Sequence, residues 1–159
     1  MRAALLSGAL VLLSACAASR ASAPIEPATA PVSRAPQEPP EVKDPNFILL
    51  VSENVPNPKD DGISFTKVFA DGREVGKTAI AHKSEERALK LKLPAGNILI
   101  RLEHWVLPGM GEPIRLSDAL QPRERFVRVE DNAIARLELR FSDGEASNTL
   151  SLSREAAPR

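Results

Sequence analysis

The chain has no tyrosine, one tryptophan and one cysteine in 159 residues, and aromatic residues make up 4% of it. Nucleic-acid platforms and sugar-binding clefts lean on aromatic stacking, so this scarcity argues against both. Charge of one sign is not in excess either: 21 basic residues balance 21 acidic ones. A nucleic-acid binder would show a basic surplus. A lone thiol closes no intramolecular disulfide and builds no metal site by itself. The folded part must therefore rest on an apolar core rather than on cross-links. Three local signatures of enzymes are also missing: G-x-S-x-G, a phosphate loop and H-E-x-x-H.

What is present begins at the N-terminus. Arg2 supplies a positive start, and positions 3 to 13 are almost all apolar or small. That run is shorter than the roughly 20 residues of a membrane span and has the parts of a secretory signal. The only cysteine follows it, in Leu13-Ser14-Ala15-Cys16. These four residues resemble the lipobox of bacterial lipoproteins. The resemblance implies that residues 1–15 are removed and that Cys16 carries a covalent lipid. Several acyl chains hold a protein stably where one holds it marginally. Ala17 stands where an aspartate would mark retention in the inner membrane, so the resemblance implies the outer membrane. From 16 to 44 the chain is rich in Pro, Ala and Ser, with no apolar period. Such a segment buries too little apolar area to offset ordering, and reads as a disordered, extended tether. At roughly 3 Å per residue it spans several tens of ångströms.

Strand signals recur from there on. The expected strands are Phe47 to Val51, Ile63 to Ala70, Arg73 to Ile80, Leu89 to Leu93, Ile98 to Leu107, Arg125 to Glu130, Ala133 to Phe141 and Thr149 to Ser153. Leu89, Leu91 and Leu93 alternate with lysines, which is strand period rather than helix period. Asp71-Gly72 is a hairpin signal, and Asp131-Asn132 and Asp143-Gly144 mark further turns. Seven to eight short strands with frequent turns read as an all-β fold, a single small β-sandwich of immunoglobulin or transthyretin-like type over residues 45–155. Residues 156–159 read as a disordered tail.

The stretch "FTKVFADGREVGKTAI", followed by "LKLKLPAGNILIRLE", resembles the PEGA-type module of bacterial surface proteins. Asp71-Gly72, Gly76-Lys77-Thr78, Pro94-Ala95-Gly96 and Trp105 fit its steps, over about Ile63 to Trp105. The chain departs from the pattern at Ala79, which replaces a proline, and in a longer connection from Ala81 to Arg87. The resemblance implies a sandwich used for display or interaction, without enzymatic activity or cofactor.

Few residues point to chemistry. His104 and Met110 are two isolated soft ligands, too few for a metal. Asp60-Asp61-Gly62 lacks the spaced acidic ligands of a calcium loop and reads as a polar turn. His82, Ser84 and Glu85 carry the letters of a triad but lie too close together to form one. Arg125, Arg128, Arg136 and Arg140 interleave with Glu124, Glu130 and Glu138, as on a solvated face with cross-strand ion pairs. Trp105 has the opposite parity to Ile98, Ile100 and Leu102, so either a bulge turns it or it lies off the core face. It packs under the following loop or joins Leu107, Pro108 and Met110 in an apolar rim that meets a partner. The expectation is therefore a lipid-anchored envelope protein facing the periplasm. It would bind or scaffold an envelope protein partner, with no catalytic residues, no metal and no nucleic acid. Two narrower alternatives are a docking lipoprotein of a secretion machine and an inhibitor of a cell-wall enzyme. The second would use the loop "VLPGMGEP".

Overall fold

A computed structural model of the chain describes residues 42–109, 111–142 and 146–157. The lipobox residues Leu13, Ser14, Ala15 and Cys16, the tether up to residue 41, and Met110 lie outside the described residues. The fold is all-β, with ten strands in two sheets among the described residues. They are β1 (Phe47–Glu53), β2 (Ile63–Ala70), β3 (Arg73–Lys77), β4 (Ala81–His82), β5 (Arg87–Leu91), β6 (Gly96–Leu107), β7 (Ile114–Arg115), β8 (Arg125–Val129), β9 (Ala133–Ser142) and β10 (Ser147–Ala156). One sheet has the order β10-β9-β1-β5. The other has the order β3-β2-β6-β7, with β4 also on β2 and β8 also on β6.

Alternation decides which side chains meet between the sheets. Phe47, Leu49 and Val51 of β1 and Ala135, Leu137, Leu139 and Phe141 of β9 point inward from the first sheet. Val68 of β2, Ile98, Ile100 and Leu102 of β6, and Val127 and Val129 of β8 meet them from the second. Each fully buried aliphatic side chain contributes roughly 1.5–3 kcal/mol by leaving water.

The β2–β3 hairpin turns on Asp71 (φ 48°) and Gly72 (φ 82°), both in the left-handed region. This is the pair of positive φ angles that a two-residue hairpin of this kind needs. Asp71 Oδ1 then accepts the Leu99 N–H at 2.9 Å, tying the turn to β6. Gly76 sits in a tight place for a different reason. A Cβ there would come within 3.2 Å of Leu91 Cδ2, so the β5 leucines would have to give way by a few tenths of an ångström to admit a side chain.

Several strand boundaries differ from expectation, and at two of them a polar side chain replaces a backbone partner. The strand expected over Leu89 to Leu93 runs instead from Arg87 to Leu91. Beyond it Leu93 stays buried, because Asn46 Nδ2 donates to the Leu93 carbonyl (2.9 Å) and Asn46 Oδ1 accepts the Leu93 N–H (2.8 Å). The return strand expected to reach Ile80 stops at Lys77. There the Thr66 N–H donates to Thr78 Oγ1 (3.0 Å), and the Thr78 N–H donates to the Thr66 carbonyl (2.9 Å). The closing strand is longer than expected and includes Ser147 through Ala156. The turn at Asp131-Asn132 joins no hairpin: β8 pairs with β6, while β9 pairs with β1 and β10.

Candidate functional site

One end of the space between the sheets is polar. Glu53 closes β1 on the inward parity of Phe47, Leu49 and Val51. Arg87 opens β5 and sits beside Val51. Ser64 and Thr66 face them from β2, and His104 from β6. The side chains of Glu53 and Arg87 are each 2% exposed, and His104 is 0% exposed. Ser64 Oγ donates to Glu53 Oε1 at 2.6 Å, and the Arg87 guanidinium donates to both Glu53 and Ser64. His104 Nδ1 lies 2.9 Å from Thr66 Oγ1, and its Nε2 lies 3.5 Å from Glu53 Oε1. The Phe141 ring closes over the imidazole, with centroids 4.3 Å apart.

Burial alone would raise the Glu53 pKa, since it disfavours the charged form. His104, Ser64 and Arg87 outweigh it and hold the carboxyl down to about 2. Glu53 is thus a carboxylate at neutral pH, paired with Arg87 in its own sheet and in contact with Ser64 and His104 of the other. The order carboxylate, imidazole, hydroxyl in Glu53, His104 and Thr66 has the residue types of a nucleophilic relay. The Thr66 hydroxyl belongs to a fully buried residue. A reacting carbonyl would have to reach it through packed interior, so this arrangement binds the sheets together and offers no nucleophile.

The outer face of the second sheet is organised differently. Register pairs Ile63 with Leu107, Phe65 with Trp105, Lys67 with Glu103 and Phe69 with Arg101. Trp105 lies on this outer side, opposite to the inward Ile98, Ile100, Leu102 and His104. It is half-buried and stacks on Phe65, with centroids 6.2 Å apart and planes 10° from parallel. Lys67 Nζ stands 5.5 Å from the Trp105 centroid, Lys77 Nζ 5.9 Å from that of Phe65, and the Arg101 guanidinium 4.0 Å from that of Phe69. Each ring therefore carries a cation on its flank. The Trp105 indole N–H is shielded and meets no acceptor among the described residues. Leu107 is half-buried beside Trp105, and Pro108 is exposed. Further along the same face Phe126 is 63% exposed next to Leu99; Ile114 at β7, 55% exposed, pairs with Val106 and so has the opposite parity.

The remaining sequence candidates separate. Ser84 donates to Asp61 through its N–H (2.9 Å) and its hydroxyl (2.7 Å). These bonds hold the Asp61 carboxyl below its ordinary value. His82 Nδ1 lies 3.1 Å from the Asp61 carbonyl. His82, Ser84 and Asp61 thus stabilise a loop. The four arginines divide between the sheets, Arg125 and Arg128 on β8 and Arg136 and Arg140 on β9. Arg128 pairs with Glu130 (2.8 Å), Arg136 with Glu155 (3.0 Å) and Arg140 with Glu138 (3.1 Å). Arg125 instead reaches a backbone carbonyl. Among the described residues no group of three His, Cys, Asp or Glu side chains is placed to hold a metal ion.

The buried cluster was not singled out in the sequence, although a signal for it exists. Glu53, Ser64, Thr66, Arg87 and His104 all continue the inward parity of apolar neighbours on their own strands. No protein-family model, curated protein or solved structure matches the chain.

Proposed function

We propose that this chain is a lipid-anchored lipoprotein of the bacterial outer membrane whose β-sandwich binds or scaffolds an envelope protein partner in the periplasm, without catalysis. The anchor rests on Leu13-Ser14-Ala15-Cys16 behind a short apolar run. The observation that carries the binding role is Trp105, half-buried and backed by the buried ring of Phe65. It is set on the outer face of a sheet whose core is completed elsewhere, and Leu107 extends it. Aromatic side chains flanked by cations give large contact area with few rotors to order, as interface anchors do. The carboxylate–imidazole–hydroxyl set supports a non-catalytic reading because it is spent inside the sandwich.

The test has two arms. Metabolic labelling with a clickable palmitate should mark the wild type and leave Cys16→Ala unlabelled; label on the variant contradicts the anchor. Crosslinking pull-down from envelope fractions should recover a partner with the wild type and lose it with Trp105→Ala. An unchanged set of crosslinked proteins contradicts the assignment of this face.

A further inference from the structure

β10 is ten residues long, and its neighbour on one side is β9; no strand covers its other side among the described residues. In an antiparallel pair, alternate residues turn their N–H and C=O groups toward the same neighbour. Two bonds fix that parity here. The Ala157 N–H donates to the Asn132 carbonyl in continuation of the β9 ladder, at 3.1 Å. The Leu150 carbonyl turns the other way and accepts from the Arg125 guanidinium at 3.2 Å. Asn148, Leu150, Leu152, Arg154 and Ala156 therefore direct their backbone groups out of the sheet. Edge strands are commonly guarded by proline, lysine or a bulge. Ser147–Ala156 contains no Pro or Lys, and its register with β9 runs unbroken.

Beside this edge lies an open cleft of about 540 Å³, lined in part by Leu120, Gln121, Arg123, Arg125, Asn148 and Leu150. Asn148 Nδ2 donates to the Leu120 carbonyl at 3.0 Å, which holds the loop against the start of the edge. Arg123, Glu124 and Arg125 are all exposed and line the cleft, and Glu124 is already paired with Arg101 at 3.7 Å, which leaves a net positive charge there. The Arg125 guanidinium stands where the backbone of another strand would be.

We propose that the β10 edge and this cleft receive an extended segment of a partner protein, added as a fifth strand to the first sheet, with an Asp or Glu side chain between Arg123 and Arg125. Free backbone groups recur every second residue, about 6.8 Å apart, and an extended chain has the matching repeat. An incoming N–H replaces Arg125 at the Leu150 carbonyl and frees the guanidinium for the carboxylate. Charge disfavours a second copy as the occupant. With two β10 strands antiparallel about Ser151, Arg154 of the copy falls opposite Asn148, beside Arg123 and Arg125. This site lies apart from Phe65 and Trp105 and does not depend on the function proposed for them.

Amide hydrogen exchange, read residue by residue by NMR on the full-length protein in detergent micelles, tests it. The probes are seven-residue Thr/Val alternating peptides carrying one glutamate, scanned through every position. At least one should slow exchange at Leu150, Leu152 and Arg154 tenfold or more, with Thr149, Ser151 and Ser153 unchanged because β9 already bonds them. Replacing its glutamate by glutamine, or making Arg123→Ala, should weaken binding at least fivefold, while Trp105→Ala should leave it intact. No protection from any peptide overturns the added strand. Equal binding of the glutamine peptide overturns the carboxylate. Protection that needs no peptide and rises with protein concentration assigns the edge to a second copy instead.

Discussion

The two ends of the sandwich interior are built on opposite principles. Toward one end Phe47 faces Leu91 across β1 and β5, and Ile98 faces Val127 across β6 and β8; nearly everything is apolar. Toward the other, Val51 faces Arg87, Thr66 faces His104, and Glu53 lies between the sheets. An apolar end loses stability in proportion to the atoms removed, because its contacts are numerous and non-directional. The polar end depends on completeness. Its ion pair need not outperform apolar residues of the same volume, but losing one partner strands a charge in a dry interior.

Four perturbations sharpen that contrast, from the largest effect downward. Glu53→Ala leaves Arg87 buried and unpaired, and should cost about 3–5 kcal/mol in chemical denaturation. Leu102→Ala in the apolar core should cost about 2–5 kcal/mol, with the value set by how far the cavity collapses. Trp105→Ala should cost only about 1–2 kcal/mol, since the ring is half-buried on the outer face and loses chiefly its stack on Phe65. Differential scanning calorimetry ranks these last two; a Trp105 variant as damaged as the Leu102 variant would place the ring in the core. Arg128→Ala removes an exposed ion pair and should change stability by less than about 1 kcal/mol.

Acid acts on one end of the interior alone. The Glu53 pKa is about 2 in the folded chain against an ordinary 4.5. The unfolded chain therefore takes up a proton first as pH falls. The stability that Glu53 contributes is complete above about 4.5 and is lost between there and about 2. Denaturation midpoints of wild type should fall across that window, and those of Glu53→Gln should fall less.

Strand parity made most of the fold legible. The alternation at Leu89 and Leu91, the run from Ile98 to Leu102, and the Asp71-Gly72 turn appear in the structure much as the sequence implies. Trp105 too lies off the core face, as its parity allows. Long-range pairing was not legible. β1 lies parallel to β9, and nothing local in Phe47–Glu53 selects a partner so far along the chain. The turn at Asp131-Asn132 carries the chain from one sheet to the other, and a short turn motif does not specify which strand follows beside which. The polar cluster was half legible. Parity places Glu53, Thr66 and His104 inward, but polarity argues for solvent, and that conflict is settled only by partners from four strands. Asn46, Thr78 and Gln121 illustrate a further limit. Gln121 Oε1 accepts the His104 N–H (2.8 Å), and its Nε2 donates to the carbonyls of His104 (3.1 Å) and Leu116 (2.8 Å). It stands in for a stretch of strand between β7 and β8, a role that depends on where the loop lies rather than on residue type.

Glu53 and Arg87, on neighbouring strands of the first sheet, act as one buried charged unit that meets the second sheet through Ser64 and His104. A double-mutant cycle with Glu53→Gln, Arg87→Met and the pair together, followed by urea denaturation, measures it directly. Each single change should cost more than about 2 kcal/mol, and the double variant should recover about 1–3 kcal/mol of the sum because no charge is left unpaired. Single costs that simply add, with coupling below about 0.5 kcal/mol, would show that the two residues stabilise the fold independently and would contradict it.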